Sequence, residues 1–66
     1  MAQRLDLLRQ QLEAASLTLN ELARRATVSV WLLRQLEDGG DCTGDESQRI
    51  ADALGVTLTA LGKQDL

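Results

Sequence analysis

Residues 17–39 read LTLNELARRATVSVWLLRQLEDG, and this stretch decides the fold. Thr18 is followed three residues later by Glu21. That is the capping-box spacing, in which the threonine oxygen accepts an orphan N–H of a helix's first turn and the glutamate reaches back to the N–H of the cap. A helix therefore starts at Thr18. Behind it Leu19, Leu22, Ala23 and Ala26 recur at i, i+3, i+4 and i+7, while Asn20, Glu21, Arg24 and Arg25 face outward. The β-branched pair Thr27 and Val28 breaks the rhythm, and Ser29 offers a second N-cap directly before Val30, Trp31, Leu32 and Leu33. Two short helices joined by a turn of about three residues must cross at an angle, with Val28 tucked into the core to fix the corner. The second of them runs to about Asp38 and is stopped by Gly39 and Gly40, which supply the left-handed conformation a helix C-terminus commonly needs.

Upstream, Leu5, Leu8 and Leu12 recur at helical spacing, which predicts an amphipathic first helix over residues 2–15. Downstream, residues 39–44 read as a polar loop. Thr43 and Glu46 repeat the capping box, and Ile50, Ala51 and Leu54 mark the inner face of a fourth helix that ends at Gly55. Thr57 is placed to cap a last turn bearing Leu58 and Leu61, and from Gly62 the tail is polar and expected to fray. The expectation is an all-α fold, a compact four to five helix bundle forming a single domain over residues 1–66.

Sixty-six residues support only one small core, so the chain must be compact and helical or borrow stability from a partner. Apolar residues make up 44% and charged ones 26%, enough apolar matter to drive collapse. There is no proline, Trp31 is the only aromatic residue, and leucine and alanine in excess favour helices over strands. With one cysteine and no histidine, an internal disulfide and the usual zinc constellations are excluded, and no cofactor is expected. Cys42, in the polar loop, reads as an incidental surface thiol. No apolar run approaches a membrane span and the N-terminus has no signal-peptide apolar region, so a reducing, cytoplasmic setting without membrane contact is expected. Ten acidic side chains are present, but nothing pairs a nucleophile with a base and no glycine-rich phosphate loop occurs, so no enzyme is expected.

The formal net charge of −3 opposes a grip on nucleic acid by bulk electrostatics. Its distribution softens that. Residues 17–36 carry Arg24, Arg25 and Arg34 against Glu21 alone, whereas residues 37–66 hold seven acidic side chains against Arg49 and Lys63. The positive charge lies in the middle third, and a local field steers a ligand more than the total does.

On these residues the chain resembles the Cro and phage-repressor type of helix-turn-helix regulators, also called the xenobiotic response element family. The likeness spans residues 4–61, densest in LTLNELARRATVSVWLLRQLEDG and looser in RIADALGVTLTAL. The glutamate and leucine after the capping threonine, the Val-Ser of the turn, Leu33 and Leu36, Glu37 and the closing glycine all recur in such proteins. The family more often has glutamine at the position of Leu19, glycine at Thr27, small polar or basic residues at Val30, Trp31 and Leu32, and apolar residues at Gly44 and Ser47. The resemblance implies a lambda-repressor-like bundle with its helix-turn-helix over about residues 18–38. It also implies a sequence-specific DNA-binding transcriptional regulator, a homodimer that reads a short palindromic operator in double-stranded DNA with the helix starting near Ser29. Leu58, Leu61 and Leu66 are the candidates for a dimer surface.

Stepping along that reading helix, Leu32, Leu33 and Leu36 fall on one side and Trp31, Arg34, Gln35 and Asp38 on the other. Arg34 can fork onto guanine O6 and N7, Gln35 can pair with adenine N6 and N7, and Val30 and Trp31 can meet thymine methyl groups. Arg24 and Arg25 are candidate phosphate clamps, or charges that complement the helix dipole. Thr18 and Asn20 are candidate phosphate donors. The candidate DNA-binding residues are thus Thr18, Asn20, Arg24, Arg25, Ser29, Val30, Trp31, Arg34 and Gln35. Trp31 leaves three readings open: contact with DNA, folding back over Leu19 or Leu32 into a small core, or docking on another protein. In the last, the scaffold is a protein-interaction module that works through Val30 and Trp31, since fold does not dictate function.

Overall fold

The computed structural model describes residues 2–65. Along the chain come β1 (Ala2–Leu5), α1 (Leu8–Ala15), α2 (Leu19–Ala26), α3 (Val30–Glu37), β2 (Cys42–Thr43), α4 (Gly44–Leu54) and β3 (Lys63–Asp65). The caps form where the sequence places them. Thr18 Oγ1 accepts from the Glu21 N–H at 3.1 Å while Glu21 Oε1 accepts from the Thr18 N–H at 3.1 Å. Thr43 and Glu46 repeat this reciprocal pair at the start of α4, and Ser29 Oγ accepts from the Leu32 N–H at 3.0 Å at the start of α3. Each cap removes an unpaired donor and stabilises its helix by about 1 kcal/mol.

Leu8 and Leu12 of α1, Leu22 and Ala26 of α2, Leu33 and Leu36 of α3, and Ile50 and Ala51 of α4 share one core with Leu5 and Leu61. The apolar stripes therefore point inward as their helical spacing requires. Val28 packs against the same core and its N–H donates to the Ala23 carbonyl at 3.0 Å, which fixes the corner between α2 and α3. Of the two glycines after α3, only Gly39 has a left-handed φ, 91°. Gly40 serves a close approach instead: a Cβ there would lie 2.7 Å from the Gln35 carbonyl oxygen, which accepts its N–H.

The all-α expectation is corrected by a three-stranded antiparallel sheet of order β2-β1-β3. Residues 2–5 do not extend the first helix. They form the central strand, with Gln3 opposite Cys42 on one side and Asp65 on the other. Leu5 fits the leucine spacing of α1 yet ends a strand, because one inward side chain next to a turn at Asp6 and Leu7 satisfies both patterns. The polar loop contains β2, and the tail expected to fray forms β3. Thr57 does cap a turn, its Oγ1 accepting from the Ala60 N–H at 3.1 Å, but residues 58–62 stay a turn and never become a helix.

What holds this C-terminal segment is Leu61, which is fully buried. Removing its side chain from water contributes about 2 kcal/mol, more than one unsupported helical turn can offer against its nucleation cost. The Leu7 N–H donates to the Leu61 carbonyl at 2.9 Å, and Gln11 Nε2 donates to the Ala60 carbonyl at 3.0 Å. Burial removes Leu61 from the candidate dimer surface. Leu58 is half-buried against the core, and Leu66 lies outside the described residues.

Cys42 is likewise buried, not the surface thiol expected of a loop. Burial, with Glu46 and Asp41 nearby, pushes its thiol up to about 11. Ser47 stands fully buried where the resemblance implies an apolar residue more often, and its hydroxyl proton serves the Gly44 carbonyl at 2.9 Å or Oε1 of Gln3 in β1. A hydrogen bond between α4 and β1 thus replaces apolar packing at that point.

Candidate nucleic-acid interface

The α2–turn–α3 unit spans Thr18 to Asp38, the two caps included. Its turn contains Thr27 at φ 57° and ψ 46°, a left-handed conformation held by a β-branched residue where glycine would carry no penalty. From this corner α3 starts with Ser29 as its cap and turns Leu33 and Leu36 inward. Trp31, Arg34, Gln35 and Asp38 are exposed on its opposite side.

The sequence-derived candidates divide into groups. Asn20 and Arg24 line a shallow groove together with Ala23, Thr27, Val28, Ser29 and Val30. The structure brings these α2 residues directly beside the start of α3. Arg25, although adjacent in sequence to Arg24, faces a different cleft with Arg49 and Asp52 of α4. Two consecutive helical residues point about 100° apart, so the two arginines open onto different clefts. Arg49 was not singled out from the sequence, and only the packing of α4 on α2 reveals it.

Thr18 is occupied locally. Its hydroxyl accepts from the Glu21 N–H and lies 3.2 Å from Glu21 Oε1, to which it donates. That carboxylate is held below the usual range, first by the Thr18 backbone N–H, then by its hydroxyl, with Arg25 and Arg24 adding to the effect. Capping accounts for Thr18 without an external ligand.

Trp31 is 68% exposed, and of the three neighbours Val30, Trp31 and Leu32 only Val30 and Leu32 pack against the core. The reading in which the indole folds back over Leu19 or Leu32 is therefore overturned. The reason is position: Trp31 lies on the α3 side away from Leu33 and Leu36, where a helical side chain has no core to reach.

The basic residues show the same division. Arg4 pairs with Asp6, Arg9 with Glu37, Arg49 with Asp45 and Lys63 with Asp65. Among the described residues, Arg24, Arg25 and Arg34 make no ion pair. The cations left without an acidic partner are thus the three on α2 and α3, and the sequence signal for them was the lone Glu21 between residues 17 and 36.

A family model described as helix-turn-helix matches residues 8–61, most of the chain. The chain belongs to the helix-turn-helix family. The resemblance to the Cro and repressor type, carried by residues 17–39, is thereby shown, and the protein is in general terms a DNA-binding regulator. Neither a curated protein nor a solved structure matches the chain. Among the described residues no helix of this helix-turn-helix protein is long and apolar enough to cross a membrane.

Proposed function

We infer that this helix-turn-helix protein is a sequence-specific transcriptional regulator that places the N-terminal half of α3 in the major groove of double-stranded DNA. The observation that carries this reading is the set of unpaired arginines on α2 and α3, in a chain whose other basic side chains are all tied to carboxylates. Arg34 and Gln35 offer bidentate contacts to guanine and adenine, and Arg24 with Asn20 sits where a helix crossing the backbone would meet phosphates. Asp38 and Asp41 put negative charge at the far end of α3, so like-charge repulsion favours an approach led by Ser29. The reading includes two copies on a short palindrome in a cytoplasmic setting, since a two-fold protein matches a two-fold operator.

Selection of bound sequences from a random duplex pool at low salt tests it. Enrichment of a palindrome that Arg34→Ala fails to bind selectively is the expected outcome, and a pool recovered without enrichment overturns it. A second reading is favoured by the exposure of Trp31 beside Val30: a protein-interaction module in which that pair docks on another protein. Indifference of Trp31 fluorescence to any duplex at low salt selects this second reading.

A further inference from the structure

We propose that the first turn of α3 reads DNA through the 5-methyl group of a pyrimidine, with Trp31 as the specificity-determining residue and Val30 as its support. The proposal rests on the DNA-binding reading above and names what that surface recognises. The exposed side chains at this tip are Ser29 and Trp31, with Val30 half-buried between them and packed against the core. The Ser29 oxygen already accepts from the Leu32 N–H, so as a cap it is held in place and is a poor reader of bases. Val30 has no polar side-chain atom, and it lines the same groove as Ala23 and Val28. Trp31 brings one N–H donor at the edge of a large apolar ring.

With a single indole N–H and a hydroxyl held as a cap, a tip of this composition offers little to the donor and acceptor code that distinguishes base pairs. The apolar feature of the major groove is the methyl on C5 of thymine, and 5-methylcytosine carries the same group at the same position. Burying it against the indole removes apolar surface of both partners from water. An aromatic ring that gains nothing from the core and stays 68% exposed then has a ligand of matching chemistry.

The register follows from the helix. Arg34 lies three residues beyond Trp31, about 4.5 Å along the axis, against a rise of about 3.4 Å per base pair. Where α3 runs along the groove, the methylated pyrimidine lies one or two base pairs from the guanine on which Arg34 forks.

The test starts from the best duplex of the random-pool selection, resynthesised with deoxyuridine, deoxycytidine or 5-methyldeoxycytidine replacing each thymidine in turn, the cytosine forms paired with guanine. Loss of the methyl at the read position is expected to weaken binding about fourfold. The thymidine to deoxyuridine ratio should fall to about one in Trp31→Ala and be kept in Trp31→Phe, which retains a ring face but lacks the N–H. Both variants alter an exposed side chain outside the core, and unchanged helical circular dichroism verifies the fold. A gain for 5-methyldeoxycytidine over deoxycytidine shows that either methylated base serves, whereas a gain for thymidine alone confines recognition to thymine. Equal affinity for thymidine and deoxyuridine duplexes, with Arg34→Ala still weakening both, overturns the methyl contact and leaves DNA reading intact. Absence of binding to every duplex at low salt removes the DNA reading and this inference with it.

Discussion

In the α2–α3 corner each cap is made by a residue three positions from the N–H it serves, whereas in the sheet Gln3 meets Cys42 on one side and Asp65 on the other. The two regions also treat charge differently. Around the sheet Arg4, Lys63 and Asp65 are satisfied within the molecule, while Arg24, Arg25 and Arg34 at the corner are left free. The sheet closes the molecule with contacts distant in sequence, and the corner, assembled locally, keeps its outward groups for something else.

Five substitutions probe that division. The largest effect is expected for Leu61→Ala, which leaves a cavity beneath the C-terminal segment and should cost about 2–5 kcal/mol in urea denaturation. A cost below about 1 kcal/mol would mean that the segment frays after all. Next, Arg34→Ala should cost about 1–3 kcal/mol on the selected duplex and relax base preference, with little change in thermal midpoint. Arg24→Ala should weaken all duplexes alike and reduce the salt slope by about one. Equal losses of preference in the two variants would erase the distinction between reading and holding.

A smaller effect of opposite sign is expected at the turn. A left-handed φ costs an L-residue about 1–2 kcal/mol, and glycine gives back about 0.5–1 kcal/mol through its freer unfolded chain. Thr27→Gly should therefore stabilise by about 0.5–1 kcal/mol, read as a rise in midpoint, and a fall would show that the threonine side chain is itself a support. The smallest effect concerns Glu21, whose folded carboxyl lies below its ordinary value because the Thr18 N–H donates to it. Its contribution is complete above the unfolded value of 4.5 and is lost as pH falls through the folded one. Glu21→Gln should flatten the acid limb of stability below about pH 4.5, and an unchanged limb would discount the bond.

How much could be read beforehand follows from the same contrast. Thr18, Glu21, Ser29, Thr43 and Glu46 announce their helices because donor and acceptor lie within one turn of sequence. Leu5 carried no such cue: its spacing to Leu8 and Leu12 suits a helix, and the partners that make residues 2–5 a strand arrive only near residues 42 and 65. The polar triplet of β3 read as a frayed tail since nothing local shows that the preceding Leu61 is buried. Cys42 was misplaced for the same reason. At the interface, Trp31, Arg34 and Gln35 came out on one exposed side as the helical wheel implies. The parting of Arg24 from Arg25, and the meeting of Arg25 with Arg49, depended on how α4 lies against α2.

The central place of β1 also bears on the order in which structure is acquired. Residues 2–5 leave a ribosome before either neighbouring strand exists, and their outer partner at residues 63–65 follows only after every helix has been made. A nascent chain thus carries an unpaired strand while the sequences of α2 and α3, with their own caps, are already complete, and the β3 edge is the last segment able to join the sheet.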